Sequence, residues 1–126
     1  MDSNQLIQRT KLFALEVIRF FQRLPKTDEA KITGKQLLRS GTSVAANYRA
    51  ACRSRSKQEF YAKICIVEEE SDESLFWLEL ISESGIQTNA KIELILKEAK
   101  ELIRIFSATK KSTKLNVMKS SNPQII

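Results

Sequence analysis

The chain has 126 residues and a formal net charge of +6, with no histidine, three glycines and two prolines. This length fits one domain, and the scarcity of glycine and proline favours a few long helices over many short strands. Without histidine, no His-based acid–base step, catalytic triad or Glu-x-x-His metal motif can be built, so the sequence predicts a non-enzymatic protein without cofactor.

Membrane and secretion signals are missing from the sequence. No apolar run approaches the roughly 20 residues that a membrane span needs. The first residues, Met-Asp-Ser-Asn-Gln, lack the basic start and apolar stretch of a signal peptide. We therefore expect a cytoplasmic protein that makes no membrane contact and keeps Cys52 and Cys65 as reduced thiols.

Four segments repeat apolar or small residues at the alternating spacing of three and four that marks a helix seam. Each seam is the face that we expect to be buried. The predicted seams are Leu6, Thr10, Phe13, Val17, Phe20 and Leu24; Leu38, Gly41, Ala45, Tyr48 and Cys52; Phe60, Ile64, Val67, Ser71, Ser74, Leu78 and Ile81; and Ile92, Ile95, Ala99, Leu102 and Phe106.

Turn and cap residues separate these segments. Pro25 ends the first helix, because proline disfavours helical geometry in the residue before it. Ser56 is predicted to cap the third helix, and Gly85 to end it. Four amphipathic helices joined by short turns predict an all-α protein, an antiparallel up-down-up-down four-helix bundle over residues 1–109. Residues 110–126 are predicted to form a flexible basic tail.

The second helix carries many small and polar residues, and they are predicted to face the acidic third helix. In an antiparallel hairpin Arg39 lies level with the carboxylates of residues 69–73, where an ion pair is expected. The sequence predicts a structural polar layer that fixes helix register; a ligand or nucleic-acid site is the alternative. The members of the predicted polar layer are Arg39, Ser40, Thr42, Ser43, Asn47, Glu69, Glu70 and Glu73. The acidic run does not predict a metal site, because its side chains splay around the helix axis.

A cluster of basic residues surrounds the turn between the second and third helices. Its members are Arg49, Arg53, Arg55, Lys57 and Lys63, and only Glu59 offsets them. The free backbone N–H groups at the start of the third helix point the same way and favour anions. Nearby aromatic residues that are able to stack on bases are Tyr48, Phe60 and Tyr61. The cluster predicts a nucleic-acid interface; a solvated basic turn is the alternative.

More apolar residues are present than the four seams require. Phe21, Phe76 and Trp77 are the clearest surplus. A surplus of this kind usually marks an interface with another chain. The sequence therefore predicts a homo-oligomer in which these three residues contact a neighbouring subunit.

Three stretches of the chain resemble a known bacterial family. They are Leu38-Arg-Ser-Gly-Thr-Ser-Val-Ala-Ala-Asn-Tyr-Arg-Ala-Ala, Ser56-Lys-Gln-Glu-Phe-Tyr-Ala-Lys, and the later Glu-Glu-x-x-Glu-x-x-Phe-Trp-Leu-Glu-Leu. Together they are similar to the signature of the bacterial 23S rRNA intervening-sequence proteins, a four-helix-bundle family. The resemblance runs from about Leu12 to Phe106.

This resemblance implies a four-helix bundle that assembles as a ring, a homopentamer, and it brings no catalytic residues. Members of the family are encoded within insertions in 23S rRNA genes or elsewhere in bacterial genomes. A related group, the accessory variability proteins of diversity-generating retroelements, forms similar basic pentamers that bind nucleic acid and a reverse transcriptase. The resemblance thus implies an association with nucleic acid.

Two functions are consistent with the charge pattern. Residues 39–63 and 102–126 each carry a net charge of +5, whereas residues 64–101 carry −7. The first hypothesis is a non-enzymatic, oligomeric protein that binds structured RNA through the basic turn. The alternative is a protein-interaction scaffold, in which the basic and acidic segments contact each other between subunits or contact a partner protein.

Overall fold

Four helices make up the part of the chain that the structure describes. The computed structural model describes the backbone of residues 1–121 and the side chains of residues 1–119. The helices are α1 (Ser3–Gln22), α2 (Asp28–Ala51), α3 (Lys57–Glu83) and α4 (Ala90–Ser121), with no strand among residues 1–121. Each helix packs on the next, and α4 packs on α1. The short connections make successive helices antiparallel, which confirms the all-α four-helix bundle.

The predicted seams of α1, α3 and α4 are confirmed. Every seam residue of α1 and α4 is buried, and so is every one of α3 except Phe60, which is half-buried. In the α2 seam Gly41 and Tyr48 are buried as predicted, whereas Leu38, Ala45 and Cys52 are half-buried and their neighbours Leu37, Val44 and Ala51 are buried instead. Burying Val44 in place of Ala45 removes more apolar surface from water, whereas Leu37 and Leu38 are equal in size.

A close approach between α1 and α2 occurs at Gly41. A Cβ atom built on this glycine would lie 2.9 Å from Cγ2 of Val17, which is fully buried. Valine is stiff at χ1, so it cannot turn away easily. The absence of a side chain at residue 41 therefore sets how closely the two helices pack.

We expect Gly41→Ala to lower the free energy of unfolding by up to about 2 kcal/mol. Overpacking a core costs about 1–3 kcal/mol, against a helix-propensity gain of about 1 kcal/mol. Gly34→Ala is the comparison, because its added Cβ would meet the ends of the more flexible Leu24 and Phe21 side chains. Urea denaturation should show a smaller loss for Gly34→Ala. An equal or larger loss at Gly34 would contradict this explanation.

The helix boundaries follow local hydrogen bonds. The side chain of Thr27 accepts a bond from Ala30 N (3.3 Å) at the start of α2, and the Ser56 side chain accepts one from Glu59 N (3.1 Å) at the start of α3. Gly85, just after α3, has a φ of +82°, a conformation that favours glycine. The predicted cap at Ser56 and stop at Gly85 are confirmed.

The end of α4 differs from the predicted loose tail. The helix does not stop near residue 109 but continues through Ser121. Thr113 is buried, and Lys110 Nζ lies 3.0 Å from a carboxylate oxygen of Glu68 on α3. These contacts hold the continuation against the bundle, although its sequence has no apolar seam. The rest of the predicted tail, residues 122–126, lies outside the described residues.

None of the helices within residues 1–121 is long and apolar enough to cross a membrane.

Candidate nucleic-acid interface

The bundle gathers basic residues from all four helices at one end. This end, which we call the basic end, comprises residues 1–11, 46–67 and 106–121, the parts nearest the α2–α3 turn. It holds eleven basic and two acidic residues, whereas the rest of the chain holds ten basic and thirteen acidic residues. The difference is +9 against −3, or +7 against −1 once Glu98 and Glu68, the ion-pair partners of Arg9 and Lys110, are counted with the basic end. Either count makes the basic end the surface on which a polyanion would be held most strongly.

A polar groove runs along the basic end between α1 and α2. It has a volume of about 700 Å³, and its basic lining residues are Lys11, Arg49 and Arg53. Thr42 and Asn4 add polar side chains, and no acidic residue lines the groove. All three basic residues are exposed. The groove therefore presents three cations to solvent along a concave surface.

A second groove lies on the other side of the α2–α3 turn, between the turn and the continuation of α4. It has a volume of about 420 Å³ and is lined by Arg55, Lys57, Phe60, Thr113 and Asn116, together with two serines. The half-buried Phe60 presents part of its ring to this groove. Arg53 of the first groove and Arg55 of the second are two residues apart, so the turn joins the two basic surfaces.

The other predicted residues of this interface lie outside the two grooves. Lys63 is half-exposed on α3 and lines neither groove. Tyr48 is buried against Phe106, with ring centroids 5.4 Å apart, and burial raises the pKa of its hydroxyl. Tyr48 is therefore a core residue and is closed to stacking on a base. Tyr61 is half-buried at the start of α3.

Glu68 holds the continuation of α4 in place. Hydrogen bonding from Ser107, and then from Lys110, lowers the pKa of the Glu68 carboxyl group. The same contact raises the pKa of Lys110. The carboxylate therefore fixes Lys110 on the α3 side of the bundle and lowers the positive charge that this lysine presents to solvent.

We expect the continuation of α4 to lose hydrogen-exchange protection in acid. Since the pKa of Glu68 is lowered by folding, its contribution to stability is complete above the unfolded value of about 4.3 and is lost as the pH falls through the folded value. At neutral pH, Glu68→Gln should reduce the protection factors of residues 110–119 to the same extent as acid reduces them in the wild type. Glu59→Gln, which alters an exposed carboxylate on α3, is the matched control. Unchanged protection in Glu68→Gln would contradict this role.

The predicted polar layer has an inter-helix part built around Arg39. Its guanidinium pairs with Glu70 at 3.3 Å and with Glu73. Hydrogen bonding to Glu73 raises the pKa of Arg39, and hydrogen bonding from Trp77 and then Arg39 lowers the pKa of Glu73. Below this pair, Ser74 Oγ lies 3.0 Å from Ser40 Oγ in the core. These contacts join α2 to α3 at one register.

The remaining members of the predicted layer do not join the two helices. Thr42 donates to the Leu38 carbonyl at 2.7 Å, and Asn47 donates to Ser43 Oγ at 2.8 Å, so these side chains are satisfied within α2. Glu69 is exposed and has no ion pair within the described part of the chain. Thr42 and Asn47 bond within α2 because each lies one helical turn from its partner. A short hydroxyl or amide side chain reaches a group four residues away in its own helix more readily than it reaches the next helix.

The three predicted interface residues differ in exposure. Phe76 is exposed, whereas Trp77 is half-buried and donates to Glu73 at 3.1 Å. Phe21 is half-buried in the α1–α2 contact, beneath Gly34. The missing side chain at Gly34 makes room for this ring, so most of Phe21 belongs to the contact within the chain.

The acidic run forms no metal centre among the described residues. No group of three or more Cys, Asp or Glu side chains in that part of the chain is arranged to hold an ion.

Sequence reasoning missed Lys11 as a residue of the basic end, and it placed Asn116 only in the predicted flexible basic tail. Both come from helices that are distant in sequence from the α2–α3 turn. The antiparallel order was the available signal, because it places the start of α1 and the end of α4 beside that turn.

Comparison with known proteins identifies the chain's relatives. The family model of the 23S rRNA-intervening sequence protein matches residues 2–108. A crystal structure at 1.70 Å resolution is similar, that of a protein of unknown function from the S23 ribosomal protein family of Bacteroides thetaiotaomicron. It has 28% sequence identity and a TM-score of 0.77, with 83% of this chain and 97% of that chain covered. No curated protein matches the chain. The chain therefore belongs to the 23S rRNA-intervening sequence protein family.

Proposed function

We propose that this protein is a non-enzymatic, nucleic-acid-associated protein that binds structured RNA through its basic end. The observation that carries the proposal is the separation of charge, with a net +9 at the basic end and −3 over the rest of the chain. A uniform distribution of the same residues would give only weak, non-localised attraction. Concentrated charge supplies the phosphate contacts that dominate nucleic-acid affinity.

The two grooves provide a path for a phosphate backbone. Lys11, Arg49 and Arg53 line one groove, and Arg55 and Lys57 line the other. A strand that crosses the turn would meet these five cations in succession. Phe60 in the second groove offers one partly exposed ring for stacking on an unpaired base. This combination suits RNA with a single-stranded loop or bulge better than a regular duplex.

The absence of enzymatic chemistry is part of this proposal. The chain has no histidine, and its exposed cations need neither a cofactor nor a metal to attract phosphate. The predicted cytoplasmic location is consistent with an RNA partner.

The proposal also includes assembly into a homo-oligomeric ring, which the resemblance implies to be a homopentamer. Exposed apolar residues on two faces of the bundle support association with further copies. Repeating the basic end around a ring would raise the avidity for a long polyanion without any new contact.

A protein-interaction scaffold is the second candidate function. Four exposed carboxylates of α3 favour it: Glu69, Asp72, Glu79 and Glu83 form no ion pair among residues 1–119. They are available to basic groups of another chain. In this reading the basic end would also contact protein, and binding would not require RNA.

The dependence of RNA binding on salt tests the proposed function. Five phosphate contacts predict a slope of log K against log salt of roughly −3.5 to −4.5 per chain. We would measure binding of a hairpin RNA by fluorescence anisotropy between low and physiological salt. A slope near zero, or no binding at low salt, would contradict the RNA-binding proposal and favour the protein-interaction scaffold.

A further inference from the structure

The outer surface of α3 carries an apolar ridge. Phe76 is 49% exposed and Leu80 is 40% exposed. Phe76 lies two residues from both Ser74 and Leu78, which are buried, so it points away from the core by the geometry of the helix. We call Phe76, Leu80 and the exposed carboxylates beside them the α3 ridge. Unpartnered apolar surface of this kind usually contacts another chain.

The side chain of Phe76 is held in one orientation on the α3 ridge by its neighbours. Its ring packs edge-on against Trp77, with centroids 5.0 Å apart and planes at 72°. Trp77 is in turn fixed by its hydrogen bond to Glu73. Little side-chain freedom remains for Phe76 to lose on binding, which favours its use as an anchor.

An apolar groove opens on the far side of the bundle, between α1 and α4. Adjacent helices pack least closely here, and the space between them has a volume of about 410 Å³. Its apolar walls include Phe13, Phe20 and Ile95, and at its mouth Leu12 and Leu94 are 55% and 68% exposed. We call this space the α1–α4 groove. It is large enough to receive an aromatic side chain.

The charges around these two surfaces are complementary. Glu69, Asp72, Glu79 and Glu83 surround the α3 ridge, and none forms an ion pair within the described part of the chain. On the rim of the α1–α4 groove, by contrast, the charged groups without an ion pair among the described residues are cations.

Five charged residues stand on that rim. Glu16 pairs with Arg19, and Glu98 pairs with Arg9, so both rim carboxylates are neutralised within the chain. Arg23 and Lys91 line the groove and have no ion pair among residues 1–119. The groove thus offers two available cations to an acidic partner.

We infer that the α3 ridge of one copy of this chain docks into the α1–α4 groove of the next copy. The inference rests on the proposed function and deepens it by naming the surfaces through which copies associate. Phe76 would enter the groove between Leu12 and Leu94, and the ridge carboxylates would meet Arg23 and Lys91. Each copy carries both surfaces, so the contact is head-to-tail and extends to a ring or a filament.

This contact leaves the basic end free. Arg23 and Lys91 lie at the end of the bundle away from the α2–α3 turn, because α1 ends and α4 begins there. Lateral association of copies would therefore present their basic ends side by side. The arrangement would repeat the RNA-binding surface without covering it.

Two charge-introducing variants test the inference, one for each surface. Phe76→Lys places a cation opposite Arg23 and Lys91, and Leu94→Glu places an anion opposite the acidic ridge. By light scattering, each variant should fall from the mass of the assembled wild type to the 14.4 kDa of one chain. Leu115→Glu, on the same helix and 53% exposed, is the control and should remain assembled.

Mixing the two variants gives the decisive result. Phe76→Lys keeps an intact groove and Leu94→Glu keeps an intact ridge, so an equimolar mixture should form a 1:1 dimer of twice the single-chain mass. Formation of that dimer also shows that both variants are folded. A monomeric wild type, variants that stay assembled, or a mixture without the dimer would each overturn the inference.

RNA binding is scored separately by the salt titration described above. A 1:1 dimer in a protein that does not bind RNA would leave this contact standing while removing the proposed function. Salt-dependent RNA binding without the dimer would overturn this contact and leave the proposed RNA binding standing.

Discussion

Replacing four basic residues around the α2–α3 turn should reduce RNA affinity roughly a thousandfold at 0.1 M salt. The variant combines Arg49→Ala, Arg53→Ala, Arg55→Ala and Lys57→Ala. Each phosphate contact contributes about 0.7–0.9 to the salt slope, so four lost contacts remove roughly three units of it. Both the affinity and the slope are measured by fluorescence anisotropy. The two should fall together if the residues act through phosphate.

A matched variant removes the same charge from the opposite end of the chain's surface. Lys26→Ala, Lys31→Ala, Lys35→Ala and Lys97→Ala also lower the net charge by four, and all four lysines are exposed. We expect this variant to lose less than tenfold in affinity, because only long-range attraction is weakened. Equal losses in the two variants would show that net charge alone, without a located interface, accounts for binding.

Truncation of the core at Leu102 should destabilise the bundle by about 3 kcal/mol. Leu102 is fully buried in α4, and Leu→Ala changes at such sites cost about 2–5 kcal/mol through lost transfer energy and the cavity left behind. A loss of this size should lower the melting temperature by roughly 10 °C or more. Circular dichroism during thermal and urea denaturation measures both quantities.

Leu115→Ala makes the same chemical change on the same helix at a residue that is 53% exposed. It should cost less than about 1 kcal/mol. If the two substitutions were equally costly, the continuation of α4 would be packed more tightly than its exposure indicates. The pair therefore tests where the core ends along α4.

The bundle could be predicted because its hydrophobic periodicity is strong and its turns are few. The seams of α1 and α4 place a large apolar residue at nearly every predicted position, so only one face of each helix can be buried. The α2 seam was ambiguous. Small residues such as Gly41 and Ala45 carry little hydrophobic signal, and adjacent Leu37 and Leu38 both fit a seam. In the structure Leu37 is fully buried and Leu38 is half-buried.

The end of α4 could not be predicted from its own composition. The segment after residue 109 is polar and basic, which by itself favours a loose chain. It is helical because neighbouring α3 supplies Glu68 as a partner for Lys110 and because Thr113 packs against the bundle. These tertiary contacts leave no periodic pattern in the sequence.

The candidate site was predictable as a charge cluster but not as a surface. Arg49, Arg53, Arg55 and Lys57 are close in sequence, and their grouping around a turn is visible without a structure. Their division between two grooves depends on side chains of α1 and α4. Tyr48 was considered for stacking, but its burial beneath the site makes it a structural residue.

Ultraviolet crosslinking of the protein purified from its host, followed by mass spectrometry of the crosslinked peptides, tests the central claim most directly. Samples treated and untreated with nuclease should differ in the nucleic acid that accompanies the protein. We predict RNA crosslinks confined to peptides from residues 1–11, 46–67 and 106–121. An absence of co-purified nucleic acid, or crosslinks concentrated on the outer surface of α3, would contradict a basic-end RNA interface.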